Sequence, residues 1–474
     1  MQKVIRISII GVETTPKWRK RMTLNRLLKQ LLNVKGATVD GAEFAESANG
    51  EASLTVHVHV QKKDRWRCPI CGKKCHVHDY LTDERFWRGM DFGTVKVRLG
   101  ARVPRVCCAE HGVLTAAVPW AKHGSNFTLD FAYSATWMVK SGLSRSRVAE
   151  RMGIDWKTVG RLVELVWHEL EPDVKKRFDG LRKIGIDETS YRKGHSYITT
   201  VVNHETNTVI WACEGHGKEV VDKFFKELTP EQRASIEVVT GDGARWITDS
   251  CAEHCPDAKR CLDPFHAVEW ANAALDAVRI EAWRRALEKW RGMGKPKNGD
   301  REAKEARRAA KQAADDIKHS KYALGKNPEN LTPGQQERLA VIQAGDGALS
   351  RAHAMKEQLR LIFKMTDADE AAAAIDRWTA RAQRCRIPAF VELQRKIRRH
   401  REHIINAIRH HVSNARIEAL NNKIKLLIRV AYGFRNIDTM IALVMLFCSN
   451  ITIPWPSCNA PMRMNKGKSR QEVA

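Results

Sequence analysis

Hydrophobic and polar positions change rhythm several times along the chain, and each change predicts a different kind of element. "LNRLLKQLLN" has the helical spacing of a short amphipathic segment, and "ASLTVHVHVQ" alternates as a half-buried strand does. Short strands separated by Cys and turn residues follow over 62–120. Residues 127–170 return to helical spacing. In "SRSRVAERMGIDWKTVGRLVELVW" a turn at Gly153 to Asp155 divides two helices. Val148, Ala149, Ile154, Val159 and Leu162 take the apolar positions of a helix-turn-helix, which leaves Trp156, Lys157, Thr158 and Arg161 to face a DNA groove. An ordinary helical hairpin has the same pattern.

From Arg182 the rhythm becomes α/β. "KIGIDETS", "HSYITTVVN" and "NTVIWACEG" predict three successive strands. A helix near "KEVVDKFFKEL", a strand "IEVVTGD", a strand "AKRCLD" and a helix from "PFHAVEW" complete a mixed sheet. Residues 285–395 carry no strand signal and predict an all-helical insertion. A long helix then runs through Arg416 and Glu418. The run "MIALVMLFC" is far shorter than the roughly 20 residues of a membrane span and reads as a buried helix.

Composition narrows the partner. The 474 residues exceed one ordinary core and predict several domains. Lys and Arg number 81 against 55 acids, a formal charge of +26, which points to nucleic acid and favours the helix-turn-helix over the plain hairpin. The N-terminus shows no cleavage pattern, so a reducing, cytoplasmic setting is expected and the twelve Cys read as metal ligands or core residues. Cys68 and Cys71, then Cys108 and His111, form two knuckles of equal gap, the pattern of a structural Zn2+ held by a Cys3His ribbon. Cys107 rivals Cys108 for the third position, and Cys75 and His76 are lesser rivals.

Asp187 and Asp242 each end a predicted strand, where open α/β sheets gather their chemistry. Singly, each reads as a cap or turn residue. With a Glu on a late helix they form a carboxylate set that divalent cations such as Mg2+ would hold together beside a phosphodiester, on an RNase H-like sheet. Asn421, Asn422, Lys425 and Arg429 follow Glu418 near one helical face, with Asn414 a turn before. Between Lys396 and Arg429 stand nine Lys or Arg and two acids, so this face suits DNA phosphates.

"CPICG", "RVCCAEHGV", "GIDETSYRKGHSYITTVVN", "VVTGDGA", "CLDPFHAVEWANAALDAVR" and "SNARIEALNNKIKLLIRVAYGFRN", in this order, resemble the ISL3 family of bacterial insertion-sequence transposases from about Val34 to Cys448. The resemblance implies a multidomain α/β chain: an N-terminal segment (1–61), a zinc-ribbon-like domain (62–120), a helix-turn-helix (125–178), an RNase H-like core (181–284 and 396–450) split by the insertion (285–395), and a flexible tail (451–474). It places the Asp-Asp-Glu triad on Asp187, Asp242 and Glu418, holding Mg2+ or Mn2+, with Asp263 and His266 in support. It further implies binding of double-stranded DNA at the element's terminal inverted repeats and at the target, cleavage with strand transfer, and a homodimer or higher assembly. A catalytically silent DNA-binding regulator and a plain metal-dependent nuclease are the competing readings.

Overall fold

The computed structural model describes residues 4–5, 23–32, 34–171, 176–192, 194, 196–262, 264–298, 300–345, 347–412, 415–431, 433–434 and 436–454. Two compact units result: Met1–Pro172 with Asp438–Ala474, and Asp173–Ile437. Of the expected flexible tail (451–474), residues 451–454 are described and Ile453 is buried, so the packed chain runs past 451; the rest lies outside the described residues.

In the first unit β1 (Val4–Ile5) and α1 (Leu24–Leu31) precede β2 (Ala37–Glu46), β3 (Ala52–Val60), β4 (His76–Tyr80), β5 (Arg85–Arg88), β6 (Lys96–Ala101), β7 (Pro104–Cys108) and β8 (Gly112–Thr115). These make two sheets, β1-β2-β3-β6-β5 and β4-β7-β8. The alternation in "ASLTVHVHVQ" does form a strand, β3. It pairs antiparallel with β2 on one side and parallel with β6 on the other. That second pairing removes the expected division at residue 61. Leu28, Val39, Val56, Trp87, Leu99, Val106 and Trp120 share one core, with Trp87 and Trp120 edge-on at 5.6 Å.

Three helices follow: α2 (Leu129–Lys140), α3 (Arg145–Met152) and α4 (Trp156–Leu170). Gly153, at φ 62°, ends α3 in the left-handed conformation, and the Asp155 side chain caps α4 through the Lys157 N–H. Val148, Val159 and Leu162 are buried, as a helix-turn-helix requires.

The second unit contains β9 (Lys183–Arg192), β10 (Ser196–Asn203), β11 (Thr208–Glu214), α5 (Lys218–Glu227), α6 (Pro230–Ala234), β12 (Val238–Gly241), α7 (Arg245–His254) and β13 (Lys259–Leu262). The sheet order is β11-β10-β9-β12-β13. The first three strands are antiparallel; β12 runs parallel to both β9 and β13. Helices continue as α8 (Pro264–Gly292), α9 (Arg301–Lys318), α10 (Lys321–Gly325), α11 (Pro333–Gly345), α12 (Gly347–Ile362), α13 (Ala368–Gln383), α14 (Pro388–Arg399), α15 (Arg401–Arg409) and α16 (Ala415–Val430). The helical stretch does not stand apart from the sheet. α8 runs unbroken from the end of β13 across residue 285, and Ala271, Leu359, Trp378, Phe390 and Ile404 share a core with Leu262.

The single long helix expected before and through Glu418 is three helices. His400 lies between α14 and α15, and His411, at φ 50°, ends the region of α15. There the chain tucks Val412 against Val238, Cys261 and Ala407. The run "MIALVMLFC" forms α17 (Ile437–Cys448), buried as expected but in the first unit. Thr439 donates to Glu164 of α4, and Lys140 of α2 donates to the Ile451 carbonyl at 2.7 Å. The segment 396–450 is therefore divided between the units. No described helix is long and apolar enough to cross a membrane.

Candidate active site, thiol cluster and DNA-reading helix

β9 and β12 are in parallel register at Gly185 and Thr240. Two residues further on, Asp242 follows the end of β12, whereas Asp187 lies inside β9, which runs on to Arg192 and pairs with β10 there, so it does not end its strand as expected. The Glu188 N–H donates to Asp187 Oδ1 at 2.7 Å, and Asn421 Nδ2 donates to Oδ2. Thr189 Oγ1 in turn donates to Asn421 Oδ1 at 3.3 Å, which fixes the amide's orientation. Burial pushes the Asp187 carboxyl above its ordinary value; the Glu188 N–H, Asn421 and His266 oppose this, and Asp242 adds to it. A desolvated carboxylate facing a second one is a place where a bound cation is favoured.

Asp242 is held by its own turn. Its Oδ1 accepts from the Ala244 N–H at 3.0 Å, and the buried Arg260 guanidinium donates to its carbonyl and to those of Val239 and Cys261. A Cβ at Gly243 would stand 2.7 Å from the Trp270 ring, so the turn lies flat on that indole. Lys396 Nζ sits 3.8 Å above the same ring and feels the Asp242 charge.

α16 reaches the site through a missing side chain. A Cβ on Gly185 would meet Ile417 Cδ1 at 2.1 Å, so α16 docks only because position 185 is Gly. This brings Asn421 onto Asp187. Asn421 is 8% exposed with its amide engaged, so it serves the carboxylate rather than a phosphate, contrary to expectation. Asn422, Lys425 and Arg429 are exposed, as DNA contacts need. Glu418 is exposed too; among the described residues it does not share with both aspartates the 4.8 Å spacing of one ion's ligands. Glu188 turns aside to accept from the Gly217 N–H at 3.0 Å. His266 is half-buried, 3.4 Å from Glu269, and Asp263 lies outside the described residues.

In the first unit Cys68, Cys71, Cys108 and His111 converge within 4.8 Å of one another. Cys71 to Cys108 and Cys68 to His111 are 3.7 Å, and Cys108 to His111 is 3.5 Å. A tetrahedral ion with bonds of about 2.3 Å to sulfur sets its ligands about 3.7 Å apart, so the quartet has the span that zinc requires. Strand alternation in β7 decides between the neighbouring thiols: Cys108 is buried toward the cluster and Cys107 is exposed. The Cys108 thiol is lowered to about 6, first by its contact with His111.

On α4 Lys157 and Arg161 are exposed, while Trp156 and Thr158 are half-buried. Arg145 of α3 lies over the Trp156 ring at 5.3 Å and Lys157 at 5.9 Å, so the start of α4 presents an indole flanked by two cations.

Gly185, Arg260, Trp270 and Lys396 were not singled out from sequence. Gly185 leaves a trace there, a Gly inside a strand two residues before Asp187, the mark of close backbone approach. The others gain their meaning only from contacts across the fold.

A family model described as Transposase matches residues 184–444, and one described as the helix-turn-helix domain of transposase family ISL3 matches residues 116–167. The chain is 43% identical over 430 residues to the transposase for insertion sequence element IS1557 of Mycobacterium tuberculosis, in strains CDC 1551 / Oshkosh and H37Rv, covering 89% of this chain and 95% of the relative. It is 25% identical over 416 residues to the transposase for insertion sequence element IS1001 of Bordetella parapertussis, covering 87% of this chain and 95% of that one. A DNA-binding helix-turn-helix joined to a transposase domain defines the transposase of an insertion sequence, an enzyme that cleaves and transfers DNA. The chain belongs to the ISL3 transposase family.

Proposed function

We propose that this transposase cuts the ends of its element and joins them to target DNA by metal-dependent phosphodiester chemistry at Asp187, Asp242 and Glu418. The observation that carries the reading is the pair of carboxylates carried by adjacent parallel strands, each two residues past their shared register, with Asp187 half-buried and desolvated and α16 docked beside it. Three antiparallel strands followed by two parallel ones support an RNase H-like core. Divalent ions such as Mg2+ or Mn2+ would activate the attacking oxygen and stabilise the leaving one.

The protein's own groups hold that chemistry in place. The Glu188 N–H and Asn421 fix the rotation of the Asp187 carboxylate, and Arg260 fixes the turn that presents Asp242. The three carboxylates do not share one ion's ligand spacing, which suits two ions rather than one held by all three. Asn422, Lys425 and Arg429 contact backbone phosphates, and His266 supports Asp187 electrostatically. Cys68, Cys71, Cys108 and His111 hold a structural Zn2+ with no open position. Trp156, Lys157, Thr158 and Arg161 bind the terminal inverted repeat, Lys157 through a backbone phosphate. A homodimer holding two ends, acting in the cytoplasm, completes the proposal.

The test is a labelled duplex carrying the element's end, incubated with Mg2+ beside an Asp242→Ala variant. Wild type should cut and join, and the variant should bind without cutting. Binding without cleavage by both would leave only the silent regulator. Cleavage without joined products would leave a nuclease.

A further inference from the structure

The distal halves of α8 and α9 lie beyond any core. Buried positions end at Ala282 on α8 and resume at Ala314 on α9; between them no described residue is buried. At about 1.5 Å per residue this leaves a two-helix arm of about 15–20 Å. A stretch with no core of its own needs another reason to persist.

Its chemistry supplies one. Residues 284–311 contain eleven Lys or Arg and four acids. Arg301, Lys304, Arg307, Arg308 and Lys311 fall within one arc of about 120° on α9. The arm's aromatic surface is already covered: Arg307 and Lys311 lie 5.3 and 5.9 Å over Trp290, and Lys318 lies 5.9 Å over Trp283. Little apolar surface is left for a protein partner. Meanwhile Arg284, Lys289, Arg291, Lys295, Lys304 and Arg308 are exposed and make no ion pair among the described residues. Uncompensated cations on a rigid surface suit a polyanion.

We propose that the α8–α9 arm is a second DNA-binding element, which grips duplex DNA through its phosphates without regard to sequence. The inference rests on the DNA-binding function of the transposase but not on its carboxylates. Two helices side by side are about 20 Å across, too broad for a major groove about 12 Å wide, so the arm lies across the backbone. It would hold DNA that the helix-turn-helix does not select.

The experiment uses the full chain, without divalent ions and in an Asp242→Ala background, so that a failure of the catalytic reading leaves it untouched. Affinity for a duplex lacking the element's end is measured across a salt series. Removing one cation from a phosphate should lower the slope of log affinity against log salt by about 0.9. A variant with those six cations changed to Gln should lose two or more units of slope and at least tenfold in affinity at low salt. Variants changed only at Arg284 and Arg291, or only at Lys304 and Arg308, should each lose part of it, with helix content and melting temperature unchanged. An unchanged slope in all three folded variants overturns the proposal. An unchanged slope together with weakened self-association overturns it in favour of a second copy of the chain as occupant.

Discussion

Gly185→Ala tests how α16 is seated. The new Cβ would lie 2.1 Å from Ile417 Cδ1 and 2.9 Å from both His204 Nε2 and Thr240 Oγ1. Carbon atoms rest at about 3.5–4.0 Å, so the start of α16 must move by about 1.5 Å. Overpacking of this kind costs about 1–3 kcal/mol. The larger effect is on catalysis, because the same shift lifts Asn421 from Asp187 and moves Glu418 with it. A misplacement of about 1 Å costs about a hundredfold in rate. Denaturant unfolding reads the first quantity, and single-turnover cleavage of an end fragment with Mg2+ reads the second. Binding of the end by the helix-turn-helix should not change. Ile417→Val removes the clashing Cδ1, so the double variant should recover much of both losses. A single variant equal to wild type in stability and cleavage would refute the seating argument. A double variant no better than the single would show that Ile417 is not the contact that matters.

Asp187→Asn should raise the melting temperature near neutral pH in chelator while abolishing cleavage. The folded carboxyl titrates above its unfolded value, so the native state binds the proton more tightly and wild-type stability falls as pH rises through that raised value. The variant should lack this slope and the stabilisation by Mg2+; equal pH dependence in both proteins would count against it. A Cys68→Ser, Cys71→Ser variant should lose about one equivalent of zinc on metal analysis, while Cys107→Ser should keep it. Loss in the Cys107 variant would overturn the ligand set. Lys157→Ala should weaken all duplexes alike and lower the salt slope by about one unit, the mark of a phosphate contact. Weakening confined to the element's end would make it a base contact instead.

The parts legible in sequence were those with local causes. Gly153 and Asp155 each carry the conformational reason for the turn they flank, so the helix-turn-helix was evident. The two Cys/His knuckles were evident from spacing, and strand alternation only had to choose Cys108 over Cys107. What stayed hidden depends on contacts between distant residues. β3 belongs with β6 through a parallel pairing some forty residues away, which no periodicity reveals. Asn421 and Asn422 differ by one residue, yet one is buried on Asp187 and the other exposed. Helical spacing around Glu418 could not say which side of α16 faces the sheet. No Pro or Gly marks the breaks at His400 and His411, because packing of Val412 sets the second. The apolar run of α17 announced burial but not the surface that covers it.

The position of α17 bears on the order in which the protein becomes able to act. The helices that bind DNA are synthesised well before Thr439 and Ile451, which brace α4 and α2. Between them in sequence lies the whole second unit. A ribosome must finish that unit before the DNA-binding helices are braced. A chain terminated within that unit lacks both contacts. The topology thereby makes the bracing of the DNA-binding helices wait on synthesis of the whole second unit.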